Sequence, residues 1–131
     1  MINYRYGIFE TNSSSTHSLY FATSQEYNDF TAGKTVIDIN DGTFVPWEDA
    51  VQFIIDDNKR HGYNNLENDE GNPVSFEEFK ALSKEEQCYW LRDYGYRACE
   101  DMGNYLEYYH DVYTTEHGDV VHVFGEYGND W

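Results

Sequence analysis

The chain has 131 residues, with twenty-five Asp and Glu against eight Lys and Arg and a formal charge of −17. Its length fits a single domain, 1–131; its charge disfavours direct binding to DNA or RNA, whose binders are basic; and its 18% aromatic content separates it from disordered acidic chains, which are poor in aromatics. No stretch approaches the roughly 18 consecutive apolar residues of a membrane span, and the opening "MINYRYGIFE" lacks the charged-then-apolar order of a secretion signal, so a cytoplasmic protein without membrane contact is expected.

The segments "NYRYGIF" and "HSLYFAT" read as two short strands, rich in aromatic and β-branched residues, joined by a hairpin or a crossover. Between them lies an unusual run, Asn12, Ser13, Ser14, Ser15, Thr16 and His17. Consecutive hydroxyls with the amides of a tight turn can surround a phosphate or another oxyanion, and a histidine can add charge or act as a general base. The same residues can instead shape a loop through local side-chain to backbone bonds. The stretch "FETNSSSTHSL" resembles the N-terminal signature of a scattered group of small proteins of bacteriophages and other bacterial mobile elements. That resemblance covers residues 9–19 and implies an origin and an accessory role toward a host system, not an activity.

"SQEYNDF" reads as one or two helical turns, and "GKTVIDIN" as a third strand ended by the turn "NDG". Trp47, Ala50, Val51, Ile54 and Ile55 fall at i, i+3, i+4, i+7 and i+8, the apolar stripe of a helix opened by Pro46 as its first residue and closed before Gly62. "YNNLENDEGNPV" is polar and without period, hence a loop. Ser75 with Glu78 and Ser83 with Glu86 form two capping boxes that start two further helices. In the second, Cys88, Leu91, Gly95, Ala98, Cys99 and Met102 make a core stripe. Cys88 and Cys99 then stand about 16 Å apart at 1.5 Å per residue, beyond disulfide reach. The tail "YYHDVYTTEHGDVVHVFGEYG" reads as a hairpin around Gly118, with Val112, Val121 and Val123 on one face and Tyr113, Thr115, His117, His122 and Phe124 on the other. The expected fold is α+β: a small antiparallel sheet of the N-terminal strands plus the C-terminal hairpin, packed against about three helices.

Chemistry-bearing motifs are sparse. There is no phosphate-binding loop, no nucleophile elbow and no calcium loop beyond the turn-like "DIND". His117 and His122, with His110 nearby, would share a face in that hairpin, but exposed strand residues account for them better than a metal ion. No cofactor, metal or catalytic residue is therefore assigned, and the chain reads as a binding protein rather than an enzyme.

The acids are unevenly placed. Residues 1–45 hold five acids and two bases, leaving twenty acids and six bases for residues 46–131. Glu48, Asp49, Asp56 and Asp57 lie opposite the apolar stripe of the helix after Pro46; Glu67, Asp69 and Glu70 lie in the loop; Glu77, Glu78, Glu85, Glu86 and Asp93 lie on the later helices. A compact chain of this length has a diameter near ~36 Å, and duplex DNA of that length carries roughly 21 phosphates, a comparable load. Thirteen tyrosines, among them Tyr89, Tyr94, Tyr96, Tyr105, Tyr108 and Tyr109, add contact area suited to Arg and Lys. The leading expectation is an accessory protein that imitates nucleic acid and inhibits a basic nucleic-acid-binding host protein: a nuclease, a restriction or CRISPR component, or a polymerase. The alternative is a small nucleotide- or phosphate-binding domain, or enzyme, centred on Ser13 to His17.

Overall fold

A computed structural model describes residues 3–12, 15–104 and 106–129, with side chains for 18–104 and 106–128. The architecture is α+β, as expected. Strands β1 (Asn3–Asn12) and β2 (Ser15–Ala22) form a hairpin. Near the other end, β8 (Glu107–Thr114) and β9 (Val120–Asn129) form a second. Antiparallel pairing of β2 with β9 joins the two hairpins into a four-stranded sheet of order β1-β2-β9-β8.

Helix α1 (Ser24–Thr31) lies on this sheet. Its start is a capping box that the sequence analysis did not single out: Thr23 accepts the Glu26 N–H, and the Glu26 carboxylate accepts the Thr23 N–H. Phe30 of α1 is fully buried with Tyr20 and Ala22 of β2, Phe124 of β9 and Ile37.

A second cluster is built on residues 36–98, while Ile37 and Phe44 turn to the first. β3 (Thr35–Asp38) is flanked by β4 (Thr43–Pro46) and the short β7 (Tyr96–Arg97). Helix α2 (Trp47–Arg60) buries the whole expected stripe, Trp47, Ala50, Val51, Ile54 and Ile55. Pro46 stands one position earlier than expected, at the N-cap. The expected loop after α2 contains a small hairpin, β5 (Asn65–Glu67) with β6 (Pro73–Ser75). The Asn68 side chain accepts the N–H groups of Glu70 and Asn72 at its turn, and Leu66 anchors it in the core. α3 (Phe76–Ala81) starts with the full Ser75–Glu78 box. At α4 (Lys84–Asp93), Ser83 accepts the Glu86 N–H, but the Glu86 carboxylate takes the Ser83 hydroxyl rather than its N–H.

Two expectations need correction. α4 does not run on to Met102: it ends at Asp93, where Gly95 takes φ +83° and donates to the Arg92 carbonyl. Glycine accepts this left-handed conformation readily, and the chain leaves to pair Tyr96 and Arg97 with β3. Of the proposed stripe, Cys88 and Leu91 belong to α4, while Ala98, Cys99 and Met102 lie in or beside a 3-10 turn at Cys99–Asp101. Both cysteines are free; the Cys88 thiol donates to Glu100 at 2.9 Å, and burial first, then this carboxylate, pushes it far up.

The tail hairpin differs in register. Thr114 pairs with Val120 and Val112 with His122, so the turn is Thr115–Asp119, an odd number of residues. One residue of slip exchanges faces. Val112, His110, His122 and Phe124 therefore share the face toward α1, with Tyr113, Val121 and Val123 on the other; His117 is in the turn.

Candidate functional site

Two groupings of side chains stand out. The first is the acidic surface around α2, the β5–β6 hairpin, α3 and α4. Of the twelve acids named from the sequence, eleven are exposed: Glu48, Asp49, Asp56, Glu67, Asp69, Glu70, Glu77, Glu78, Glu85, Glu86 and Asp93. Asp57 is half-buried, paired with Arg60 at 2.8 Å and accepting the Tyr94 hydroxyl at 3.2 Å. Asp57 is also the only one of the twelve in an ion pair among the described residues. His61 Nδ1 also lies 3.8 Å from Asp57, and the other pairs among the described residues use internal acids, Arg92 with Asp101 and Arg97 with Glu126. Glu78 and Glu86 are engaged at helix caps, and Asp56 accepts from Gln52. The others are left to solvent.

The tyrosines divide differently from the expectation. Tyr96 is core, Tyr94 is tied to Asp57 and Asn58, and Tyr109 donates to the Ser18 carbonyl at 2.8 Å. Tyr105 lies outside the described residues. Tyr89 is exposed, as is Tyr63, which the sequence reading did not select and which is 61% accessible. Tyr63, Tyr94, Trp90, Asn58 and Glu67 line an open cleft of about 340 Å³ at the edge of the acidic surface.

The second grouping lies where α1 meets the β8–β9 hairpin. Ser24 Oγ is 3.0 Å from His122 Nε2, and His122 Nδ1 is 2.8 Å from His110 Nε2. The two imidazoles are nearly parallel, with centroids 5.0 Å apart, and the Tyr27 ring stacks on both at 4.1 and 4.8 Å. The Tyr27 hydroxyl is itself bonded to that of Tyr108 at 2.5 Å. Desolvation, and then the neighbouring His110, lower the pKa of His122, so the neutral base is favoured. The corrected register is what brings His110, rather than His117, to His122. Among the described residues no group of three or more His, Cys, Asp or Glu side chains is placed to hold a metal ion.

The hydroxyl run is only partly described. Asn12 pairs with Ser15 across the β1–β2 hairpin, and Ser15, Thr16 and His17 belong to β2. Ser13 and Ser14 lie outside the described residues, as do the side chains of Asn12, Ser15, Thr16 and His17. Among the described residues, no helix is long and apolar enough to cross a membrane. The sequence matches no protein-family model, and searches of curated proteins and of solved structures return no significant match.

Proposed function

We propose that this chain is an accessory protein of a bacteriophage or mobile element that binds a basic, nucleic-acid-handling host protein and occupies its nucleic-acid site by imitating the charge of DNA or RNA. The observation that carries this reading is the lack of neutralisation: eleven of the twelve acids are exposed and outside any described ion pair. Solubility of a small domain needs a net charge of only about 2 to 8. Crowding more like charges on one half of a fold costs stability through self-repulsion, and a cationic partner relieves that cost. The cleft edged by Tyr63, Tyr94, Trp90 and Glu67 suits one guanidinium, which can stack on a ring while pairing with a carboxylate.

The test is capture from a bacterial lysate on the immobilised protein, followed by mass spectrometry and by competition with duplex DNA. The retained partner should be a nucleic-acid-binding protein, released by DNA and by moderate salt, since these contacts are screened over about 10 Å at 0.1 M. A partner that binds DNA and this chain at once, or with an affinity indifferent to salt, would refute the mimicry.

A further inference from the structure

We propose that Ser24, His122 and His110 form a nucleophile, base and orienter that hydrolyse a neutral or cationic carboxylic ester. This inference does not rest on the acidic surface; it rests on the chain of two hydrogen bonds, 3.0 Å from Ser24 Oγ to His122 Nε2 and 2.8 Å from His122 Nδ1 to His110 Nε2. Both distances fall in the range that links a nucleophile to its base and the base to a third, orienting group.

The position of Ser24 argues against a purely structural role. The cap of α1 is made by Thr23, which takes the Glu26 N–H, so the Ser24 hydroxyl is not needed there and its described partner is His122. Ser24 is the first residue of a helix entered directly from strand β2 through Thr23. The N–H groups of Ser24 and Gln25 precede the helical bonding ladder and are left without intrahelical acceptors. They are available to an oxyanion beside Oγ, as is the amide following the nucleophile in other strand-to-helix hydrolase sites. The Tyr27 ring holds both imidazoles in register, and the tautomer with a proton on His122 Nδ1, donated to His110, leaves His122 Nε2 free to accept from Ser24. The depressed basicity of His122 keeps that nitrogen unprotonated at neutral pH.

The reaction follows from these positions. Ser24 Oγ attacks the ester carbonyl carbon while its proton passes to His122 Nε2, and the carbonyl electrons move to the oxygen facing the helix start. Collapse of this tetrahedral species breaks the bond to the alcohol, which leaves with the proton from His122. Water then attacks the acyl-serine, gives its proton to His122, and the acid departs as Ser24 regains that proton. No other reactant is required. Val112, opposite His122 on the same face and 53% exposed, offers an apolar contact to the substrate, and the net charge of −17 disfavours anionic esters.

A fluorophosphonate probe, with intact-mass analysis and peptide mapping, tests this, and p-nitrophenyl acetate turnover follows the complete cycle. The wild type should carry one adduct, on Ser24, and Ser24→Ala none. His122→Ala should slow labelling about 100-fold or more, the usual worth of a general base. His110 is a positioning residue: His110→Gln, whose amide oxygen can accept the same hydrogen bond, should retain more of the labelling rate than His110→Ala. Unchanged thermal melts confirm that each variant is folded. If a His122 variant does not fold, the mapped adduct on the wild type decides. Absence of an adduct on Ser24, or equal labelling rates in the wild type and a folded His122→Ala, would overturn the proposal.

Discussion

Glu126 is the residue on which the contact between the sheet and the helical half can be measured. It is 4% exposed, yet it is an acid paired with Arg97. Arg97 donates to its Oε1 from Nε at 3.1 Å and from Nη2 at 2.6 Å, while Oε2 takes the Gly103 N–H at 3.0 Å. Nη2 also reaches the Asp101 carbonyl at 2.9 Å. Replacing Arg97 with Met keeps the stem and removes the partner, stranding a buried carboxylate on one amide. Breaking a buried pair in this way costs about 3–5 kcal/mol. The Arg97 side chain is 27% exposed, so water can reach the vacated position and the lower end, about 3 kcal/mol, is expected. With a urea slope of about 2 kcal/mol per molar, the midpoint should fall by about 1.5 M. The buried Trp47 and Trp90 report the transition by fluorescence. Removing both charges, as in R97M/E126L, should recover most of the loss, because an apolar pair of similar volume avoids the desolvation penalty. A loss below about 1 kcal/mol in R97M, or a double variant no better than the single, would refute the reasoning.

Phe30→Ala should cost about 3–5 kcal/mol, as for other buried aromatics, read as a lowered urea midpoint. Gly125→Ala should fail to fold or be grossly destabilised, since a Cβ there lands on the Ser18 carbonyl oxygen where β9 meets β2; circular dichroism checks it. His122, which faces Ser24 and Tyr27 on α1 and His110 on β8, has a folded pKa below its unfolded value near 6.5. The unfolded chain therefore binds more protons between those two values, so this contribution is full above pH 6.5 and is lost as pH falls toward the folded pKa. His122→Phe should flatten that part of the melting profile. Charge reversal at Glu48, Asp49 and Asp56, which spares the paired Asp57, should leave the melt within about 1 kcal/mol of wild type while weakening capture of the partner more than tenfold, the equivalent of about 1.4 kcal/mol. Undiminished capture would remove α2 from the interface.

What the sequence made legible follows the range of the interactions. The stripe of α2 and the Ser75–Glu78 cap rest on neighbours within a few residues, and both stand as read. "TSQE" at 23–26 carried the same capping signal and was available. The end of α4 was hidden because Gly95 continues a helical spacing; only the pairing of Tyr96 and Arg97 with β3 ends the helix there. The tail hairpin was readable in outline, but its faces turned on whether the turn held an even or an odd number of residues. Ser24 and His122 lie 98 residues apart, so no local motif announces them. A five-residue turn, Thr115–Asp119, would have set His110 and His122 on one face, and that was the available signal.

The adjacency of β2 and β9 bears on how the molecule comes into being. β2 can form its hairpin with β1 once residue 22 has left the ribosome, but its other edge, and the sheet face under α1, stay open until Val120–Asn129 has followed. An open strand edge is a template for the wrong partner, and non-local pairing of this kind slows folding, because the intervening chain must be closed before the contact is rewarded. Phe30 and Tyr20 meet Phe124 only at that last step. The acids in the intervening chain accompany that open edge, and like charges on two copies oppose their association.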